Sequence, residues 1–148
     1  MPGSAANWQP NTELPQGESL NGQGHLQIGE VAARTELSIK TIRHYDEVGL
    51  VAPSARSAGG FRLYTADNVD RLLAIRRMKP LGFSLDEMRQ LLDALDILRS
   101  PVATTVQRAS ATAYVVDCHT RATDACAKLT RQLAYAQELT EQLAHYRT

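Results

Sequence analysis

The sequence predicts a mainly α-helical protein with one small β-hairpin, followed by a long helix that pairs antiparallel with a second copy of itself. Short capped segments with helical periodicity run to about residue 98, and a Gly-Gly pair separates two short strand-like segments. A single helical pattern then extends from about residue 111 to the end. The 148 residues are 43% hydrophobic but only 5% aromatic, so the core is expected to be mostly aliphatic.

The first 24 residues predict a disordered N-terminal tail. They are rich in Pro, Gly, Asn and Gln, and their large apolar residues, Trp8, Leu14 and Leu20, are too isolated to form a packed face. The segment lacks the charged and apolar regions of a signal peptide, and no run of about 18 apolar residues occurs. We therefore expect a cytoplasmic protein with no membrane partner.

Two short helices joined by a tight connection are predicted from Leu26 onwards. Ile28, Val31 and Ala32 recur at helical spacing in the first helix. The second opens at Ser38, whose hydroxyl can cap its first turn. The apolar stripe of that second helix consists of Ile39, Ile42 and Tyr45. Two helices in this arrangement make a helix-turn-helix.

A two-stranded hairpin, or wing, is predicted after Gly49, which is placed to end the second helix. Gly59 and Gly60 supply the positive φ that a tight hairpin turn demands, and Arg56 and Arg62 flank them. The next helix is capped by Thr65 and runs to about Lys79, where Pro80 and Gly82 close it.

The second half of the chain predicts two more helices. Ser84 and Glu87 form a capping box that opens a helix to about Leu98, and Pro101 introduces a connector. The long helix that follows carries apolar or small residues in steps of three and four, which describe a seam for a partner helix. We expect Leu129 and Leu133 near the two-fold axis. The predicted dimerisation residues are Val115, Ala122, Leu129, Leu133, Ala136, Leu139 and Leu143.

Positive charge is concentrated in one third of the chain, although the formal net charge is zero. Residues 25–80 hold nine basic and six acidic residues. An excess of positive charge is what phosphate binding requires.

The second helix is the candidate reader of DNA, because its outer face carries hydrogen-bonding side chains and a major groove admits one such helix. The candidate DNA-binding residues are Ser38, Lys40, Thr41, Arg43, His44, Tyr45, Arg56, Arg62, Tyr64, Arg76 and Arg77. Alternatives remain open for several of them. Arg43 and Tyr45 could brace the helix against the wing, the wing could be an ordinary surface hairpin, and the arginines after Tyr64 could be solvated.

Five segments in register resemble the MerR family of bacterial transcription regulators over about residues 26–95. They are Ile28 to Ala32, Ser38 to Asp46, Gly49-Leu50, Gly60 to Tyr64 and Leu81 to Leu85. The resemblance implies a winged helix-turn-helix in which the second helix reads DNA and the residues at Arg62 and Tyr64 lie at the DNA. His44 stands where the family often has Tyr, so operator preference is expected to differ.

The resemblance also implies a mechanism. Regulators of this family bind an inverted-repeat promoter operator as homodimers and untwist and kink the DNA, which realigns promoter elements for RNA polymerase. The predicted domains are the tail at 1–24, a DNA-binding domain at 25–98, a connector at 99–110 and the dimerisation helix at 111–148. No cofactor and no enzymatic activity are expected, since the sequence has no phosphate loop, nucleophile elbow or zinc-protease motif.

Cys118 and Cys126 raise the alternative of a metal- or redox-responsive regulator. Eight residues along one helix separate the two side chains by about 12 Å, which no disulfide spans. The interpretation preferred here is that both act as small hydrophobes in the seam, with no metal bound. A site shared across the dimer and using His119 is the alternative, although the cysteine loop that follows the long helix in metal-sensing relatives is missing.

Two further functions come from other classes. An excisionase-like recombination accessory protein can share the winged helix, but the long dimer helix argues against it. A protein-interaction adaptor with no DNA role is the other.

Overall fold

The computed structural model describes residues 24–147. These residues divide after Met78 into two compact units. The tail expected at 1–24 lies outside the described residues, apart from Gly24. Within the described part of the chain, no helix is long and apolar enough to cross a membrane.

The first unit combines three helices with a small antiparallel sheet. Its elements are β1 (Leu26–Gln27), α1 (Ile28–Thr35), α2 (Ile39–Glu47), β2 (Ala55–Arg56), β3 (Arg62–Tyr64) and α3 (Ala66–Met78). The strand order is β1-β3-β2, with Leu26 opposite Tyr64 and Arg56 opposite Arg62. The predicted hairpin is therefore present as β2 and β3, and the structure adds β1 as a third strand.

The core of the first unit is largely aliphatic, as predicted. Val31, Ile42, Leu72 and Ile75 are fully buried where α1, α2 and α3 meet, and the ring of Tyr64 joins them from β3. Each large apolar side chain removed from water contributes about 1.5–3 kcal/mol. This packing fixes α2 on the rest of the unit and thereby sets which of its residues face outwards.

Local capping determines where the helices of the first unit begin and end. The Ser38 hydroxyl accepts a hydrogen bond from the Thr41 amide at 3.0 Å, which starts α2. Gly49 follows α2 with φ of 72°, a conformation that favours glycine. Thr65 and Asn68 exchange hydrogen bonds between side chain and backbone at the start of α3.

The second unit contains a 3₁₀ turn (Lys79–Leu81), α4 (Leu85–Arg99) and α5 (Thr105–Ala144). The Ser84–Glu87 capping box that was predicted is present. α5 begins at Thr105 rather than 111, because Thr104 and Gln107 form a second capping box. The connector consequently shrinks to residues 100–104, and α4 packs on α5 instead of belonging with the helix-turn-helix.

Candidate nucleic-acid interface

α2 has one buried face and one exposed face. Ile42 and Tyr45 are buried, whereas Lys40, Arg43 and His44 are exposed. Successive helical residues are rotated by about 100°, so the three exposed side chains share the side of α2 that points away from the core. α2 therefore presents two cations and an imidazole to solvent.

The first turn of α2 carries a hydroxyl pair. The Ser38 hydroxyl donates to the Thr41 hydroxyl at 2.8 Å while it accepts from the Thr41 amide. The Thr41 hydroxyl is thereby fixed as an acceptor, and its own hydrogen can be donated to a further group. Ser38 therefore caps the helix and orients Thr41.

Asp46 connects α2 to the wing. Its Oδ2 lies 2.7 Å from Nε of Arg62 and 3.7 Å from Nη2 of Arg56. The hydrogen bond to Asp46 raises the pKa of Arg62 further above its ordinary value. Arg62, predicted to contact DNA, is thus half-buried and bonded within the protein, whereas Arg56 keeps about half of its side chain exposed.

Sequence reasoning missed Asp46, which had been quoted only as part of a motif. The residues that it joins are 10 and 16 positions away, so no helical or hairpin spacing indicates the contact. Its contact with Arg62 forms only when the folded unit brings the start of β3 close to the end of α2.

Two predicted DNA-binding tyrosines lie in the core. Tyr45 is 3% exposed and Tyr64 is fully buried. Burial is the main cause that raises the pKa of the Tyr64 hydroxyl, and the nearby Asp46 carboxylate adds to it. Both rings therefore have packing roles here, and a contact of either tyrosine with DNA stays a prediction.

The two arginines at the end of α3 also have different surroundings. Nη1 of Arg76 donates to the backbone carbonyl of Thr35 at 2.7 Å and lies 3.4 Å from the Glu36 carboxylate. A cation at the carboxyl end of a helix stabilises the exposed carbonyls there, so Arg76 closes α1. Arg77 is exposed.

The two cysteines occupy unlike positions on α5. Cys118 is buried against Tyr114 where α4 covers α5, and burial raises the pKa of its thiol. Cys126 is exposed. Within residues 24–147, no three His, Cys, Asp or Glu side chains come together in a group that could hold a metal ion.

A charged cluster connects α4 to α5. Arg121 pairs with the Glu87 carboxylate, and its guanidinium carbon lies 4.7 Å from the centroid of the Phe83 ring. Arg121 and the backbone and hydroxyl of Ser84 lower the pKa of Glu87 to about 2. Tyr114, whose pKa burial raises to about 12, donates to the backbone carbonyl of Glu87.

The described elements define a class: a winged helix-turn-helix followed by a long helix. The profile described as "MerR HTH family regulatory protein" matches residues 26–95. The regulator HmrR of Sinorhizobium medicae is 36% identical over 120 residues, which cover 81% of this chain and 73% of HmrR. The chain belongs to the MerR family. HmrR and CueR of Vibrio cholerae, which is 46% identical over 67 residues, are both named as HTH-type transcriptional regulators.

Solved structures agree with this fold. PbrR691 from Ralstonia metallidurans, crystallised with lead(II), is 33% identical, with 78% of this chain and 84% of that chain covered and a TM-score of 0.50. HiNmlR, a MerR family regulator lacking the sensor domain and bound to promoter DNA, is 19% identical, with coverage of 82% and 90% and a TM-score of 0.58. The nodulation protein NolA of Bradyrhizobium sp. (strain NC92) and CueR of Vibrio cholerae match over 49% and 45% of this chain, which spans 32% and 48% of their length.

Proposed function

We propose that this protein is a transcription regulator that binds a promoter operator in double-stranded DNA, with α2 in the major groove and the wing beside it. The observation that carries the proposal is the exposed face of α2. Lys40, Arg43 and His44 point outwards from a helix whose opposite side is locked into the core. Base edges and phosphates are the partners that such a face fits. A cytoplasmic location is part of the proposal.

The roles on this face follow from chemistry. Thr41 has a methyl and a hydroxyl hydrogen available for a base edge, and His44 offers an imidazole nitrogen in either tautomer. Lys40 and Arg43 carry the charge that phosphates attract. From the wing, Arg56 is exposed enough to reach the DNA backbone directly. Arg77 provides a further exposed cation on α3.

We further propose that the regulator is a homodimer, because α5 leaves an apolar stripe uncovered. Every described residue from 126 onwards is exposed, and Leu133, Leu139 and Leu143 are each more than half exposed. The 40-residue helix is about 60 Å long, and a lone amphipathic helix of that length would keep its seam in water. A second copy lying antiparallel covers it.

The start of α5 at Thr105 moves the expected axis. Antiparallel pairing over the full helix places the two-fold axis near residues 124 and 125 rather than at Leu129 and Leu133. Leu143 of the second copy then lies opposite Val106, which borders a cleft of about 440 Å³ between α4 and α5. Ala94, Ile97 and Ala111 give this cleft apolar walls that suit a leucine side chain.

Two recognition helices related by a two-fold axis require an inverted-repeat operator, with half-sites separated by about 34 Å or a multiple of it. The family resemblance suggests that the dimer bends and untwists this operator so that RNA polymerase can use the promoter. Bending costs about 1–6 kcal/mol, which the contacts of α2 and the wing must offset.

The experiment is a fluorescence-anisotropy titration at several salt concentrations. Its DNA is the region upstream of the chain's own gene, together with genomic fragments that the immobilised protein enriches. We expect tight, salt-dependent binding to at least one fragment.

Arg43→Ala should weaken binding to specific and random DNA alike and lower the slope of log affinity against log salt by about one. The matched control is Arg131→Ala, an exposed arginine of α5. The proposal would be contradicted if no fragment bound the protein, or if Arg43→Ala left the affinity unchanged.

A further inference from the structure

The wing ends in an exposed aromatic side chain. Phe61 lies between β2 and β3 with 70% of its surface exposed, although a ring of this size is normally buried. A single exposed apolar residue is common on protein surfaces, so the exposure of Phe61 points to a partner only together with its fixed conformation and its neighbouring arginines.

The ring is held in place. Three hydrogen bonds close the turn: Gly60 N–H to the Ser57 carbonyl, Ser57 N–H to the Phe61 carbonyl, and Phe61 N–H to the Ser57 hydroxyl. Gly60 has φ of 81°, which the turn requires. The ring lies over Gly59, where an added Cβ would be 3.1 Å from Cε2. The aromatic is therefore preorganised.

Its neighbours are cationic. Nη1 of Arg56 donates to the Gly60 carbonyl at 3.3 Å, and Arg62 follows Phe61 directly while its guanidinium is bonded to Asp46. Either an acidic protein surface or a DNA backbone could bind these arginines. DNA is favoured because the same unit presents the cationic face of α2, and because deoxyribose rings provide apolar C–H surface beside each phosphate.

We propose that Phe61 packs against deoxyribose rings at the edge of the minor groove beside each half-site, as an apolar contact that complements the charged ones. The inference rests on the proposed DNA binding and adds a residue and a contact chemistry to it. Proteins that deform DNA insert apolar side chains between base steps at the minor groove; here the ring would lie on the sugar edges instead. Such a contact adds affinity without neutralising a phosphate.

The test compares Phe61→Ala with the wild-type chain on the operator at several salt concentrations. We expect about tenfold weaker binding, because the variant lacks the ring and loses its apolar contact with DNA. The slope of log affinity against log salt should stay the same, because no phosphate contact is removed. Phe61→Tyr, which keeps the ring, should restore most of the affinity. Gly59→Ala should weaken binding to an intermediate degree, because its Cβ displaces the ring.

Controls separate this inference from a folding defect and from the proposed function. The melting temperature of Phe61→Ala should equal that of the wild type, and Val102→Ala, which truncates another exposed apolar residue, should bind normally. Hydroxyl-radical footprints, which report deoxyribose exposure, should lose protection only at the outer nucleotides of each half-site. Unchanged affinity, or a lowered salt slope, would overturn the role of Phe61 while DNA binding stands. A wild-type chain that binds no operator would overturn both.

Discussion

Arg43 and Arg62 both carry a positive charge at the α2–wing region, but they differ in what surrounds them. Arg43 is exposed on the outer face of α2, whereas Arg62 is half-buried and bonded to Asp46. Both were predicted to bind DNA, Arg43 from the outer face of the second helix and Arg62 from the wing. The sequence shows which residues are basic and how they are spaced. Only the packed structure shows that Arg62 also serves the fold.

Arg62→Ala tests this second role. Removing the guanidinium leaves the largely buried Asp46 carboxylate with Arg56 alone, at 3.7 Å. We expect the free energy of unfolding to fall by about 1.5–3 kcal/mol, the range for a hydrogen bond to a charged group. Urea unfolding followed by circular dichroism measures it.

The matched variants are Arg62→Lys and Arg56→Ala. Lysine keeps the charge but not the Nε–H that Asp46 accepts, so Arg62→Lys should be destabilised while it keeps the salt dependence of DNA binding. Arg56→Ala removes a more exposed partner and should change stability by less than about 1 kcal/mol. Arg62→Ala as stable as the wild type would show that the Asp46 contact contributes nothing.

At the scale of elements, the sequence predicted what local chemistry controls. Ser38, Thr65 and the Ser84–Glu87 box start helices where expected, because a cap acts within three or four residues. It missed β1, whose two residues become a strand only by pairing with Leu63 and Tyr64 far along the chain. The Thr104–Gln107 box was readable in principle but lay within a segment interpreted as connector.

The α4–α5 contact predicts a pH dependence through Glu87. Its pKa is lowered to about 2 from an ordinary 4.5, so the charged form stabilises the fold above pH 4.5. This contribution is lost as the pH falls from 4.5 towards 2. Glu87→Gln should remove that loss, because glutamine still completes the capping box but cannot pair with Arg121.

Thermal unfolding of wild type and Glu87→Gln between pH 2 and 7 measures the effect. The wild type should be the more stable protein at neutral pH, and the two should converge in acid. Asp93→Asn, an exposed change on the same helix, serves as the control and should run parallel to the wild type. Equal stability of wild type and Glu87→Gln at all pH values would contradict the role of the Arg121 pair.

The two cysteines of α5 give a matched pair of substitutions. Cys118→Ser places a hydroxyl in a buried position and should cost about 1–3 kcal/mol of stability, whereas Cys126→Ser changes an exposed residue of the isolated chain and should cost less. Neither should affect DNA binding in the presence of zinc, copper(I) or oxidant. Tight, stoichiometric metal binding by the wild type that both variants abolish would instead favour the metal-sensing alternative.

At the scale of the whole molecule, the proposed dimer depends on the apolar stripe of α5. Leu129 and Leu133 are exposed on α5 and lie within the overlap when two copies pair antiparallel over the full helix. Replacing both with Asp puts charges into an apolar contact, so the dimer should dissociate. Each head would then bind one half-site, and operator affinity should fall about 10²–10⁴-fold because the linked second binding event is lost.

Light scattering measures the mass, and a gel shift on the full operator measures the affinity. Lys128→Asp, a charge change at an exposed position of α5, is the control and should remain dimeric. A double leucine variant that stays dimeric and binds normally would show that the dimer is built elsewhere.

The most direct test of the account is a hydroxyl-radical footprint of the wild-type chain on its operator. Two recognition helices on a two-fold axis predict two equally protected half-sites related by an inverted repeat, with centres about 34 Å or a multiple of it apart. Arg43→Ala should weaken both footprints together. The account would be contradicted by a single protected site or by two sites in direct repeat. It would also be contradicted by no protection at protein concentrations that saturate the gel shift.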